Sequence, residues 1–162
     1  MIKPLFQNIL INVNSTEASI HAVQYGILMA KLYHCNLKAV YVVDTATLKQ
    51  LTLNKFFVEE ESSEYESNLL SDGAGYLKYV EELAKEKRVP IETEVRKGAI
   101  WSEVITAAEE KDAGLILLGG WERDLPDQRD VLSTSYRKIL LNARCSVLIV
   151  KEKHIEQLYK LA

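Results

Sequence analysis

Apolar runs of strand length alternate along this chain with segments whose apolar positions recur every three or four residues. Asn8 to Val13 (Asn-Ile-Leu-Ile-Asn-Val) is rich in β-branched residues and predicts a first strand. Asn14-Ser15-Thr16-Glu17 then supplies side-chain oxygens and a carboxylate suited to the start of a helix. Ile20, Val23, Ile27 and Ala30 follow at helical spacing, so Glu17 to Tyr33 reads as a helix with one apolar face. Leu37 to Val43 is apolar apart from Lys38, as expected of a strand covered on both faces. Thr47 to Phe57 fits a short helix, whereas Glu59 to Ser67 packs five glutamates among serines and reads as a surface excursion. Helical period returns from Gly73 to Arg88 through Leu77, Val80 and Ala84. Ile91 to Val95 alternates apolar with polar and predicts an edge strand.

Gly98 turns the chain, and Trp101, Val104, Ile105 and Ala108 mark the next amphipathic helix. Leu115 to Leu118 is a wholly apolar strand ending at Gly119-Gly120. A polar loop to Leu132, a helix from Ser133 to Asn142 and a last strand from Cys145 to Val150 complete the pattern. Residues 1–151 form one expected domain, and 152–162 a tail with the makings of a short helix. Five strands separated by helical crossovers give an α/β, doubly wound, three-layer sandwich around a parallel sheet.

The length of 162 residues suits a single domain with a buried core. The net charge of −3 argues against direct nucleic-acid binding, which needs a basic face for the phosphates. No apolar run reaches the eighteen or so residues that span a membrane. The N-terminus lacks the features of a signal peptide. Cys35 and Cys145 fall in no metal or redox spacing and are expected to be reduced. The expected location is the cytoplasm.

In an open parallel sheet, ligands bind beyond the carboxyl ends of the strands, where strand order reverses. The segments that reach that edge are Asn14 to Thr16, Val43 to Thr47, Gly98, and Gly119 to Ser135. Ser133-Thr134-Ser135 offers three hydroxyls and, at a helix start, free backbone N–H groups. Such a start either caps its own helix through Ser133 or holds an anion. Trp121 is either a loop anchor or a lid over the crevice. The Glu59 to Glu66 cluster reads as a solvated face. His21, His34 and His154 show no spacing that joins them to carboxylates or cysteines, so no metal site and no catalytic triad is expected.

The same segments resemble the universal stress protein family. Ile9 to Ser19 looks like that family's first strand and its Asp-Gly-Ser turn. Val40-Tyr41-Val42-Val43-Asp44 is similar to its second strand, and Lys97-Gly98 with Asp112 to Gly119 to its third quarter. Gly119, Ser133 and the final Cys145-Ser-Val-Leu-Ile-Val resemble its C-terminal signature of Gly, two residues, Gly, nine residues, Gly-Ser. The resemblance covers residues 7–151. It implies a Rossmann-like fold of the adenine nucleotide alpha hydrolase type with strand order 3-2-1-4-5. It also implies a stress-response role, a homodimer joined through the last strand (Ser146 to Val150), and a nucleotide crevice at Asn14, Val42, Gly119, Ser133 and Thr134.

Aligned on Gly119, the second motif glycine falls at Glu122 and the third at Leu132. A Cβ at those positions restricts positive φ and blocks close approach of a phosphate. Glu122, Asp124, Asp127 and Asp130 also set four carboxylates against Arg123 and Arg129, where a polyphosphate needs donors. The family's aspartate after the first strand is Asn14 here. The expectation is a non-catalytic regulatory protein with weak or absent ATP binding. The alternative is a nucleotide-dependent switch that holds AMP or ATP with Mg²⁺. A small-molecule enzyme is the third reading, for which no nucleophile, base pair or metal set is visible.

Overall fold

The chain is described by a computed structural model that covers residues 2–55, 58–120 and 126–162, without the side chains of 126–133. In order, the elements are β1 (Asn8–Val13), α1 (Glu17–Tyr33), β2 (Asn36–Asp44), α2 (Thr45–Leu53), α3 (Glu59–Glu86) and β3 (Ile91–Gly98). There follow α4 (Ile100–Glu110), β4 (Leu115–Gly119), α5 (Pro126–Asn142), β5 (Ser146–Val150) and α6 (Ile155–Leu161). The strands form one sheet in the order β3-β2-β1-β4-β5. Every pairing is parallel. This is the strand order expected from the resemblance. It reverses between β1 and β4.

Alternation along β1 divides the core in two. Ile9, Ile11 and Val13 point toward α1 and α3 and pack with Ala22, Val23, Ile27, Leu77 and Val80. Leu10 belongs to the opposite layer, with Val40, Ile116, Leu118 and the α4 and α5 residues Val104, Ala107 and Ile139. Both faces of β1 are therefore covered, as its near-continuous apolar run requires. Lys38 is the one buried polar residue within β2. Its ammonium reaches the β3 carboxylates of Glu94 at 3.3 Å and Glu92 at 3.7 Å.

Two expectations fail, each for a physical reason. Glu59 to Ser67 is no irregular excursion, because a single helix runs from Glu59 to Glu86. Glu59, Glu60 and Glu61 in its first turn complement the positive end of the helix dipole, although the N-cap Val58 offers no side-chain bond. Gly73, which resembles a helix boundary, lies inside α3. A Cβ there would stand 2.7 Å from Tyr41 Cδ1, so this glycine admits the Tyr41 ring against the helix.

The last crossover helix likewise starts at Pro126 and not at Ser133. Proline suits a first helical position, where the missing N–H has no partner to lose. Ser133 is consequently an interior residue of α5.

Candidate functional site

The crevice beyond β1 and β4 is built from short polar connections. Asn14 follows β1 directly, and its Oδ1 accepts from the backbone N–H of Thr16 at 2.9 Å and from the Thr16 hydroxyl. Thr16 caps α1 by accepting from Ser19 N at 3.2 Å. Asn14 N donates to Ser19 Oγ at 3.1 Å, and that hydroxyl in turn lies 2.9 Å from Asn14 O and from Thr16 O. The Asn14 carbonyl oxygen is thus committed to shaping the turn, and its Nδ2 faces inward.

The inward neighbour of Asn14 is Tyr136 on α5. Tyr136 is 2% exposed. Burial pushes its phenol up to about 12, with the Asn14 side-chain amide and the Gly119 backbone opposing part of that rise. Among the described residues, the buried Asn14 Nδ2 completes no hydrogen bond. The phenol therefore sits at the junction of β1, β4 and α5, at the point where the strand order reverses. Nothing in the sequence pattern singled it out. Its signal is a tyrosine one residue beyond the Ser-Thr-Ser run, three before Ile139 on the apolar face of α5.

Gly119 also has a packing reason to be glycine. A Cβ on it would meet Ala18 C at 2.5 Å and Ser19 N at 2.7 Å, within the first turn of α1. One on Gly120 would meet Val150 O at 2.9 Å. The glycine pair lets the end of β4 pass between α1 and β5.

Ser133 does not present a free amide at a helix start. Only the first four N–H groups of a helix lack an intrahelical partner, and α5 begins seven residues earlier at Pro126. The helix start that the expected anion site at Ser133 presupposes lies instead at Pro126. Trp121, Glu122, Arg123 and Asp124, and the side chains of Asp127, Arg129, Asp130, Leu132 and Ser133, lie outside the described residues.

Val42 is 9% exposed and belongs to the same core cluster as Tyr136. Thr134 and Ser135 line a cavity of about 390 Å³ with Asp44, Thr47, Trp101 and Lys138. This cavity opens beyond the carboxyl ends of β2 and β3. Asp44 Oδ1 accepts from Thr47 N at 3.0 Å, which caps α2 and fixes one wall. Lys138 Nζ lies 5.4 Å from the centre of the Trp101 ring, so the opposite wall joins a cation to an aromatic face. The structure thus places Asn14 and Gly119 together around Tyr136, sets Thr134 in the adjoining cavity, and leaves Val42 beneath in the core. Burial raises the Cys35 and Cys145 thiols, which disfavours the thiolate form of both.

Residues 5–151 match the universal stress protein family. The chain is 33% identical over 154 residues to the universal stress protein MJ0531 of Methanocaldococcus jannaschii, covering 91% of this chain and 84% of that one. In fold it resembles a universal stress family protein from Burkholderia pseudomallei, with a TM-score of 0.70 at 19% identity over 93% of this chain and all of the other. It also resembles the universal stress protein from Archaeoglobus fulgidus in complex with dAMP. There the TM-score is 0.60 at 13% identity, over 91% of this chain and 100% of that one. Among the described residues, no helix is long and apolar enough to cross a membrane.

Proposed function

We propose, since this chain belongs to the universal stress protein family, that it is a non-catalytic regulatory protein of the stress response, binds ATP weakly or not at all, and works as a cytoplasmic homodimer. The observation that carries this reading is the run of α5 through Ser133, with Tyr136 buried between Asn14 and Gly119. A triphosphate needs several converging backbone donors. Here the Ser133 amide lies within helical hydrogen bonding, and a phenol fills the junction of the strands. The free thiols of Cys35 and Cys145 suit a reducing compartment.

Calorimetry with ATP and Mg²⁺ should give a Kd weaker than about 100 μM, and a value below about 10 μM would overturn the reading. Purified protein should not turn over ATP.

A second reading has its own observation. The cavity between α2, α4 and α5 falls in the size range of small-ligand sites, and Thr134, Ser135 and Lys138 offer hydroxyls and a cation beside the Trp101 ring. A mononucleotide places one phosphate there instead of three, and the dAMP complex of the Archaeoglobus protein is a precedent for that class of ligand. AMP binding that Lys138→Ala and Trp101→Ala each weaken at least tenfold would establish this reading. AMP affinity untouched by both substitutions would remove it.

A further inference from the structure

We propose that Glu17, His21 and Glu156 form a site for a zinc-class divalent cation that pins α6 to the first turns of α1. The three side chains offer ligand atoms that all lie within 4.8 Å of one another. Glu17 and His21 are one helical turn apart on α1, a spacing the sequence reading overlooked, so both project from one face. Glu156 arrives from the other end of the chain, where α6 lies along α1. His21 Nε2 is 3.1 Å from Glu156 Oε1 and 3.8 Å from Glu17 Oε1.

Those separations suit a metal. Zinc–nitrogen and zinc–oxygen bonds of about 2.0–2.2 Å at tetrahedral angles set ligand atoms roughly 3.3 Å apart. The two measured distances bracket that value. The Glu17 side chain is 72% exposed and free to close the remaining gap. Three protein ligands with water completing the shell is an arrangement zinc accepts, and imidazole with carboxylates selects zinc-class ions over magnesium. Among the described residues, the only ion-pair partner of either carboxylate is His21.

The framework on which the site rests is fixed independently of any ion. Ile155 and Tyr159 of α6 are buried. The Tyr159 hydroxyl donates to Leu83 O at 2.6 Å. Lys31 Nζ donates to Ala162 O at 3.2 Å, which ties the far ends of α1 and α6. Binding exchanges the His21–Glu156 hydrogen bond for two metal bonds, with the neutral imidazole carrying its proton on Nδ1 and offering Nε2 to the ion.

The test is titration of the full chain with zinc chloride at neutral pH, followed by calorimetry and thermal melting. One equivalent should bind with a Kd of about 10 μM or tighter, and tenfold excess should raise Tm by roughly 2–4 °C. His21→Ala and Glu156→Gln should each weaken binding at least tenfold. Both positions are partly exposed, and circular dichroism checks that the variants fold. Replacing Cys35 and Cys145 by serine should leave affinity unchanged, and magnesium chloride should give no shift. The proposal fails if zinc produces neither heat nor a Tm shift at 1 mM, or if His21→Ala binds zinc as the parent chain does.

Discussion

A methyl group on residue 119 would penetrate the first turn of α1, and a phenol at residue 136 fills the space beside it. Tyr136 carries a consequence that titration can read. Its phenol is raised from the ordinary 10 to about 12, chiefly by burial. A proton therefore stays on the folded protein over a range where the unfolded chain has lost it. The stability this contributes is fully present below pH 10 and is lost as pH rises through 12, at about 1.4 kcal/mol per pH unit. Tyr136→Phe should make the alkaline limb of the stability curve shallower by about one proton. A slope remains, because Tyr41 and Tyr159 are raised too, mainly by burial. Urea melts between pH 9 and 11.5 would measure this, and superimposable limbs would show that the phenol is not held as the structure has it. Of this site, Asn14 and Gly119 could be found from sequence because each ends a strand. Tyr136 and Lys138 could not, since their placement depends on how α5 rotates over the sheet.

Within elements, the paired glycines of α3 separate packing from propensity. Gly75 has nothing within 4 Å of an added Cβ, whereas at Gly73 the Tyr41 ring stands 2.7 Å away. Gly75→Ala should stabilise the protein by about 0.5–1 kcal/mol, the usual gain in a helix interior. Gly73→Ala gains the same propensity but drives Tyr41 off its stacking partner Tyr76, whose ring centre is 6.1 Å away. It should be net destabilising, by roughly 1–3 kcal/mol. Thermal melts of the two variants decide, and equal effects would mean that Tyr41 yields freely. The strands and the helices α1 and α4 were legible because their apolar positions keep one period from end to end. The starts of α3 and α5 were not. Gly73 serves a contact with a side chain more than thirty residues away in sequence. The α5 start depends on Pro126, while Ser133-Thr134-Ser135 imitates a cap from inside the helix.

At the scale of the whole molecule, the two edges of the sheet are treated differently. The β3 edge carries Glu92, Glu94 and Arg96. Arg96 bridges Glu94 at 2.6 Å and Glu110 at 2.9 Å, and Lys111 reaches Glu92 at 3.3 Å. Charge of this kind discourages another strand from pairing. The β5 edge reads Ser-Val-Leu-Ile-Val, with Val147, Leu148 and Ile149 only partly buried and no charged residue among the five. An unguarded apolar edge of five residues favours pairing with a second copy, which would continue the sheet across a two-fold axis and cover those side chains. We propose the homodimer on this asymmetry. Sedimentation at micromolar concentration should give about twice the chain mass. Ile149→Lys adds a charge within that strip, so it should shift the population to monomer, with circular dichroism checking that the variant, whose residue 149 also packs on the core, still folds. The mirror experiment is Glu94→Val with Arg96→Val, which strips the opposite edge. If β5 alone carries the contact, the parent dimer survives that change, and a monomeric parent chain would dispose of the dimer altogether.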